Sequence, residues 1–136
     1  MSKKQITAVV ELDKSRYKTK VFADGHFIYA DEPEELGGTD EGMAPGALLL
    51  ASLGSCTAIT VRMYADRKQF PLETITVSLA ICAEEEMDKG TVIAREIKFT
   101  GNLDEDQIKR LMVIADKCPI HKMLSNPIKI ISKLSV

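Results

Sequence analysis

The sequence predicts an α+β fold in which antiparallel sheets wrap around one long hydrophobic helix. Three observations indicate this architecture. Several segments alternate apolar and polar residues as strands do, an Asp24-Gly25 pair marks a hairpin turn, and residues 44–61 carry no charge at all. Because short turns rather than crossover helices join the predicted strands, antiparallel pairing is favoured over a parallel sheet.

The first third of the chain has the pattern of a small sheet followed by a loop. Strands are expected at residues 5–11, 17–22 and 26–31, with Asp24-Gly25 joining the last two. Residues 32–43, EPEELGGTDEGM, are acidic and glycine-rich, which predicts a loop.

The uncharged run predicts a helix that begins at Pro45 and ends near Lys68, before Pro71. A run of about 18 apolar residues is the lower limit for a membrane span. Here serine, threonine and glycine interrupt the run, and charged residues continue its helical pattern. We therefore interpret this helix as the buried centre of a soluble protein rather than as a membrane anchor.

The second half repeats the strand pattern and adds a second helix. Asp104 and Gln107 resemble a capping box at the start of an amphipathic helix. Cys118-Pro119 interrupts that helix, and a short further helix is expected through Leu124. The remaining strands are expected at residues 75–82, 91–100 and 128–134.

Length and composition limit the classes of function. A chain of 136 residues is the size of one domain, here residues 1–136. The formal net charge of -2 and the scattered basic residues argue against nucleic-acid binding. The polar N-terminus shows no signal peptide, and three cysteines, an odd number, suggest free thiols in a reducing compartment, so the cytoplasm is expected.

The long helix is apolar on more faces than one sheet of a small chain can cover. We therefore expect a homodimer in which a second copy shares the burial of the helix. The residues expected to be buried partly by the chain's own sheets and partly by the second copy are Leu48, Leu49, Leu50, Leu53, Ile59 and Val61.

Cys56 and Cys118 are the candidate reactive residues, although each has a simpler interpretation. A cysteine in an apolar helix, as Cys56 is, is most often a small inert hydrophobe. Cys118 lies where it would cap a short helix, whose N–H groups favour a thiolate, and His121 follows three residues later. The alternative is a helix-breaking Cys-Pro with a surface histidine. Cys82 has no distinguishing charge pattern and is treated as a bystander.

Three further observations leave alternatives open. Arg95 shares the apolar face of its strand, so it either pairs with an anion or extends to water near the strand end, and we prefer the second interpretation. His26 lies on the strand that leads into the glycine-rich loop. A structural zinc site formed by Cys56, Cys82, Cys118 and His121 is a weaker hypothesis, because only Cys118 and His121 have ligand-like spacing.

The motifs together resemble a known family. They are Gly37-Gly38-Thr39-Asp40, Ala44-Pro45, the segment LLLASLGSCTA at residues 48–58, and ADKCPIH at residues 115–121. This combination, in this order over nearly the whole chain, is similar to the OsmC/Ohr family of osmotically inducible and organic hydroperoxide resistance proteins, in particular its OsmC-like branch.

The resemblance implies an intertwined homodimer and a cysteine-based peroxidase that reduces organic hydroperoxides without a cofactor or metal. It also implies that Cys56 is the peroxidatic thiol and Cys118 the resolving thiol, restored by a dithiol reductant. This reverses the order suggested by local electrostatics.

The sequence departs from the family in one respect. The family commonly has a Glu early in the central helix, paired with an Arg, whereas this chain has Gly46-Ala47 there and no Arg in residues 22–53. Arg95, or Arg16, is a possible replacement for the cation, and Asp40, Glu41 or His26 for the polar partner; His121 is a further auxiliary candidate. The alternative function is an OsmC-like redox sensor or small-ligand-binding protein with weak or no turnover.

Overall fold

The computed structural model describes residues 5–135 and confirms the α+β class. One antiparallel sheet has the order β1-β2-β3, and β4 pairs with β5 in a second. The strands are β1 (Val9–Glu11), β2 (Thr19–Ala23), β3 (His26–Ala30), β4 (Leu72–Ile81) and β5 (Ile93–Gly101). The α-helices are α1 (Pro45–Lys68), α2 (Glu105–Ala115) and α3 (Pro119–Leu124), and short 3-10 helices span Glu34–Leu36 and Glu84–Lys89. The chain divides within α1 into two compact units, Met1–Leu49 and Leu50–Val136.

The hairpin of the N-terminal unit follows from its two-residue turn. Asp24 and Gly25 both have positive φ, 50° and 75°. This conformation matches the twist of paired strands and is accessible mainly to Gly, Asn and Asp. The turn sets the register, in which Ala23 pairs with His26 and Val21 with Ile28. The predicted first strand was too long, because only Val9–Glu11 pairs with β2.

The loop after β3 is organised around the carboxylate of Asp31, a residue that is only 2% exposed. It accepts hydrogen bonds from the Thr39 hydroxyl at 2.5 Å, from the Glu32 N–H at 2.8 Å and from the Glu41 N–H at 3.1 Å. The Thr39 hydroxyl and these N–H groups hold the pKa of Asp31 far below its usual value, despite its burial. A Cβ at Gly38 would lie 2.0 Å from the Glu32 carbonyl oxygen, so the loop also requires glycine there.

Helix α1 has the predicted ends. Pro45 occupies its first turn, and Gln69, with φ 56°, follows its last residue in the left-handed conformation. The N–H of Phe70 then donates to the Ala65 carbonyl at 2.8 Å, which closes the helix in a Schellman-like manner. By length and composition α1 would be able to cross a membrane, a criterion that core helices of soluble proteins also meet.

The core of the C-terminal unit lies where α1, α2 and the start of β4 meet. Its buried members are Val61, Tyr64, Ala65, Leu72, Leu111, Ile114 and Ala115. The predicted capping box is confirmed, since the Asp104 carboxylate accepts from the Gln107 N–H and the Gln107 side chain accepts from the Asp104 N–H. This cap fixes where α2 begins.

One prediction about the C-terminal residues was wrong, and the prediction about the apolar helix residues stays open. Residues 128–134 form no strand; Ile130, for example, is 84% exposed. All residues of this segment are exposed, because a strand requires a sheet edge to pair with and this segment pairs with none in the part of the chain that the structure describes. Of the helix residues expected at a shared surface, Leu53 and Val61 are buried within the chain itself, whereas Leu49 and Ile59 remain 42% and 53% exposed.

Candidate functional site

Two thiols from distant parts of the sequence meet in the C-terminal unit. Cys56 lies in α1 and is half-buried, and Cys118 lies between α2 and α3 and is completely buried. The two thiols lie close enough that each shifts the pKa of the other. Both are free thiols, as is Cys82. The arrangement therefore contains two reduced sulfurs close enough to interact directly.

Local backbone geometry positions Cys118. Its ψ of 131° is the extended conformation favoured before a proline, and Pro119 occupies the first turn of α3. Cys118 is thus the N-cap residue of α3, as the sequence indicated. Its sulfur accepts a hydrogen bond from the His121 N–H at 3.3 Å. The sulfur takes the place that a Ser or Asp oxygen occupies in common caps.

The two thiols have pKa values displaced in opposite directions. Burial raises the pKa of Cys56, and its hydrogen bond to Cys118 raises it further. Burial also acts to raise the pKa of Cys118, but hydrogen bonds from Cys56, the His121 N–H and Thr57 outweigh it, so the net pKa is lowered. A single negative charge on the pair is therefore better accommodated on Cys118.

An arginine reaches the same site from β5. Arg95 donates to the Thr57 hydroxyl at 2.9 Å, to the Ala115 carbonyl at 3.2 Å and to the Asp116 carboxylate at 2.5 Å. Its side chain is only 12% exposed. The preferred interpretation of Arg95 as a side chain extending to water was therefore wrong. The packing of α1 and the end of α2 against β5 supplies an anion and two further acceptors that strand periodicity does not reveal.

His121 lies at the edge of the thiol site. Its Nε2 is 3.8 Å from the Asp116 carboxylate, and its side chain is about one-third exposed. A cavity of about 190 Å³ lies beside it, lined by Leu53, Thr91, Ile93, His121, Leu124 and Ser125. The imidazole is thus a wall of this cavity, while the backbone N–H of the same residue holds the Cys118 sulfur.

The other candidate residues lie elsewhere in the fold. His26 is exposed at the start of β3, and Asp40 is exposed in the loop, where its N–H donates to the Glu32 carbonyl at 3.1 Å. Both belong to the N-terminal unit, and their auxiliary roles stay predictions. Cys82 follows β4 and is half-buried. Among the residues that the structure describes, no three His, Cys, Asp or Glu side chains are grouped to hold a metal ion, so the proposed zinc set is not assembled.

Sequence reasoning did not single out Thr57 and Asp116. Thr57 is completely buried, and its hydroxyl lies 2.7 Å from the Leu53 carbonyl and 3.9 Å from the Cys118 sulfur. A polar residue next to a cysteine in an uncharged helix was the available signal for Thr57. The signal for Asp116 was an acidic residue two positions before Cys118, at the end of a helix where an anion is unfavourable unless a cation is near.

Comparison with known proteins identifies the family. The family model described as OsmC-like protein matches residues 38–133. The chain belongs to the OsmC family. No curated protein matches it in a sequence search.

Solved structures of OsmC proteins share this fold. An OsmC-like protein from Mycoplasma pneumoniae is 20% identical with a TM-score of 0.76, over 91% of this chain and 89% of its own. A structure from Legionella pneumophila, described as an organic hydroperoxide resistance protein OsmC, is 21% identical with a TM-score of 0.66, over 91% of both chains. An organic hydroperoxide resistance protein from Elizabethkingia anophelis is 17% identical with a TM-score of 0.62, over 90% of both chains.

Proposed function

We propose that this OsmC protein is a thiol-dependent peroxidase that reduces organic hydroperoxides through Cys56 and Cys118. The observation that carries the proposal is the proximity of these two thiols, each of which shifts the pKa of the other; Cys56 is half-buried and Cys118 is fully buried. Peroxidases of this kind need an accessible sulfur to meet the peroxide and a second sulfur within reach to close a disulfide. The names of the Legionella and Elizabethkingia proteins are consistent with the same activity.

The exposure of the two cysteines supports the roles that we propose for them. Cys56 is the more accessible and would attack the distal peroxide oxygen, forming an S–O bond as the O–O bond breaks. The products are a Cys56 sulfenic acid and an alcohol, whose oxygen takes up one proton. Cys118 then attacks the Cys56 sulfur, water leaves, and a disulfide forms. A dithiol reductant exchanges with that disulfide and restores both thiols.

The reactive form is expected to be a homodimer. Helix α1 leaves Leu49, Ile59 and Met63 exposed, although its composition is that of a buried helix. The C-terminal segment also leaves Ile128, Ile130 and Ile131 exposed. A second copy of the chain would cover these apolar surfaces. A small apolar hydroperoxide suits surroundings of this kind better than hydrogen peroxide.

The experiment compares three cysteine variants of the full chain with the wild type, using cumene hydroperoxide and dithiothreitol. We expect Cys56→Ser to abolish peroxide consumption, and Cys118→Ser, treated with peroxide in the absence of dithiothreitol, to form a sulfenic acid that dimedone traps at Cys56. Cys82→Ser is the matched control and should retain wild-type turnover. Peroxide consumption by Cys56→Ser, or no loss of wild-type thiols, would contradict the proposal.

A second function is favoured by one observation, the raised pKa of Cys56 caused by its burial. A neutral thiol attacks peroxide slowly, so the protein would then act as a redox sensor or as a binder of small apolar ligands. Stopped-flow oxidation of Cys56 distinguishes these functions. In an enzyme, peroxide oxidises Cys56 far faster than it oxidises free cysteine at the same pH. In a sensor or binder it does not.

A further inference from the structure

The hydroxyl group of Thr57 connects Arg95 to Cys118, the buried cysteine of the pair. Arg95 approaches Thr57 from β5 and donates an N–H to its Oγ1 at 2.9 Å. The same oxygen lies 3.9 Å from the Cys118 sulfur. Thr57 and Cys118 are both 0% exposed. Water therefore does not compete for these hydrogen bonds.

The Thr57 hydroxyl has a choice between two acceptors. It carries a single proton, and its lone pair accepts from Arg95. The proton is then available either to the Leu53 carbonyl at 2.7 Å or to the Cys118 sulfur. A charged acceptor forms the stronger bond, so a thiolate at Cys118 would draw the proton away from the carbonyl. A neutral thiol would leave it there.

The guanidinium is held in place by groups other than Thr57. Its second nitrogen pairs with Asp116, and its first also donates to the Ala115 carbonyl. The titratable and charged groups around this site are Cys56 from α1, which interacts with Cys118, and Arg95 from β5, Asp116 at the end of α2 and His121 on α3, which contact Thr57 or one another. Asp116 fixes the orientation of Arg95 and offsets part of its charge, which leaves the directed Thr57 hydroxyl as the route from Arg95 to the sulfur.

We propose that Arg95 is a positioning residue that acts through Thr57 to place the negative charge of the reduced pair on Cys118, which then serves as the base for Cys56. The proposal rests on the peroxidase function above and adds a proton path to it. When Cys56 attacks the peroxide, its proton moves to Cys118, and the departing alkoxide takes a proton from solvent. When Cys118 attacks the sulfenic acid, its proton leaves with the hydroxide as water. Protons and electrons balance over the cycle.

The Arg–carboxylate pair at this site is formed by Arg95 and Asp116. The two side chains lie 2.5 Å apart beside the thiols, and they come from β5 and the end of α2. Arg95 contacts Thr57, the residue that follows Cys56, and not Cys56 itself. The charge is therefore expected on the buried sulfur.

The test is a thiolate titration that uses no peroxide, followed by absorbance at 240 nm in a Cys82→Ser background. Two ionisations are expected. Cys118→Ser should remove the first, and Cys56→Ser should retain it. Thr57→Val, which keeps the shape and removes the hydroxyl, should raise the first midpoint by about one pH unit. Thr57→Ser should restore it, a rescue that a merely structural role would not require.

Arg95→Met should raise the same midpoint, and the Arg95→Met/Thr57→Val double variant should raise it no further than Thr57→Val alone, since both act through one hydroxyl. Near-ultraviolet circular dichroism checks that each variant is folded. A first ionisation that survives Cys118→Ser, or that Thr57→Val and Arg95→Met leave in place, overturns the proposal. Because no turnover is measured, this result is independent of whether the protein proves to be a peroxidase.

Discussion

Asp31 in the N-terminal unit and Cys118 in the C-terminal unit are both buried acidic side chains, but they differ in the hydrogen-bond donors that surround them. Each lies near a threonine hydroxyl and accepts from at least one backbone N–H group. Asp31 has several donors at 2.5–3.4 Å. Cys118 has one N–H at 3.3 Å, a hydroxyl at 3.9 Å and a neighbouring thiol. The number and closeness of donors thus separate a permanent charge, which holds a loop together, from a charge that can be gained and lost.

The largest expected effect comes from crowding the Asp31 loop. In Gly38→Ala the new Cβ would lie 2.0 Å from the Glu32 carbonyl oxygen and 2.8 Å from the Asp31 carboxylate, so the backbone must move. We expect a loss of about 3 kcal/mol in the free energy of unfolding, measured by urea denaturation at fixed protein concentration. Gly46→Ala is the matched control. Nothing lies within 4 Å of its Cβ, and it should stabilise the helix slightly. Equal effects would show that the loop does not constrain the fold.

A smaller loss is expected when the charge of Asp31 is removed. Asp31→Asn replaces an oxygen that accepts N–H bonds by an NH2 group that faces donors, so the melting temperature should fall by several degrees. Glu35→Gln, an exposed carboxylate of the same loop, is the control and should leave it unchanged.

The effect of Asp31 also has a definite dependence on pH. Its pKa in the folded protein is depressed below the usual value of 3.8, so its contribution to stability is complete above that pH and is lost as the pH falls below it. Wild type and Asp31→Asn should therefore differ most near neutral pH and converge under acidic conditions. A difference that grows on acidification would contradict this account.

The smallest effect is expected at His121. The Cys118 sulfur uses the backbone N–H of this residue, and the imidazole is 3.8 Å from Asp116 and partly solvated. His121→Gln keeps the N–H, so the first thiolate midpoint should move by less than about 0.3 pH units. A shift of one unit or more in the 240 nm titration would show that the imidazole itself supplies charge to the site.

Local signals predicted the elements that depend on local chemistry. Pro45 and Pro71 bracket α1, positive φ at Asp24-Gly25 makes the hairpin, and a reciprocal cap starts α2. Cys118 as the cap of α3 follows from the next residue being proline. These features involve residues a few positions apart, which is the range over which sequence patterns are informative.

Elements that depend on a distant partner were less predictable. Residues 128–134 have the alternation of a strand, but nothing in that pattern states which edge they pair with. Arg95 was correctly placed on the inward face of β5, yet its anion, Asp116, belongs to another element. Asp31 looked like the end of a strand, and only the folded loop shows the donors that converge on it. In each case the missing information is the packing of segments far apart along the chain.

One sulfur both caps α3 and takes part in the thiol pair. Whatever consumes the lone pairs of Cys118, whether a proton, a disulfide or an alkylating reagent, also weakens the bond that holds the His121 amide. The rate at which this one amide hydrogen exchanges with deuterium should therefore differ between the reduced and the oxidised protein. The first turn of a six-residue helix would then report the oxidation state of the thiol pair.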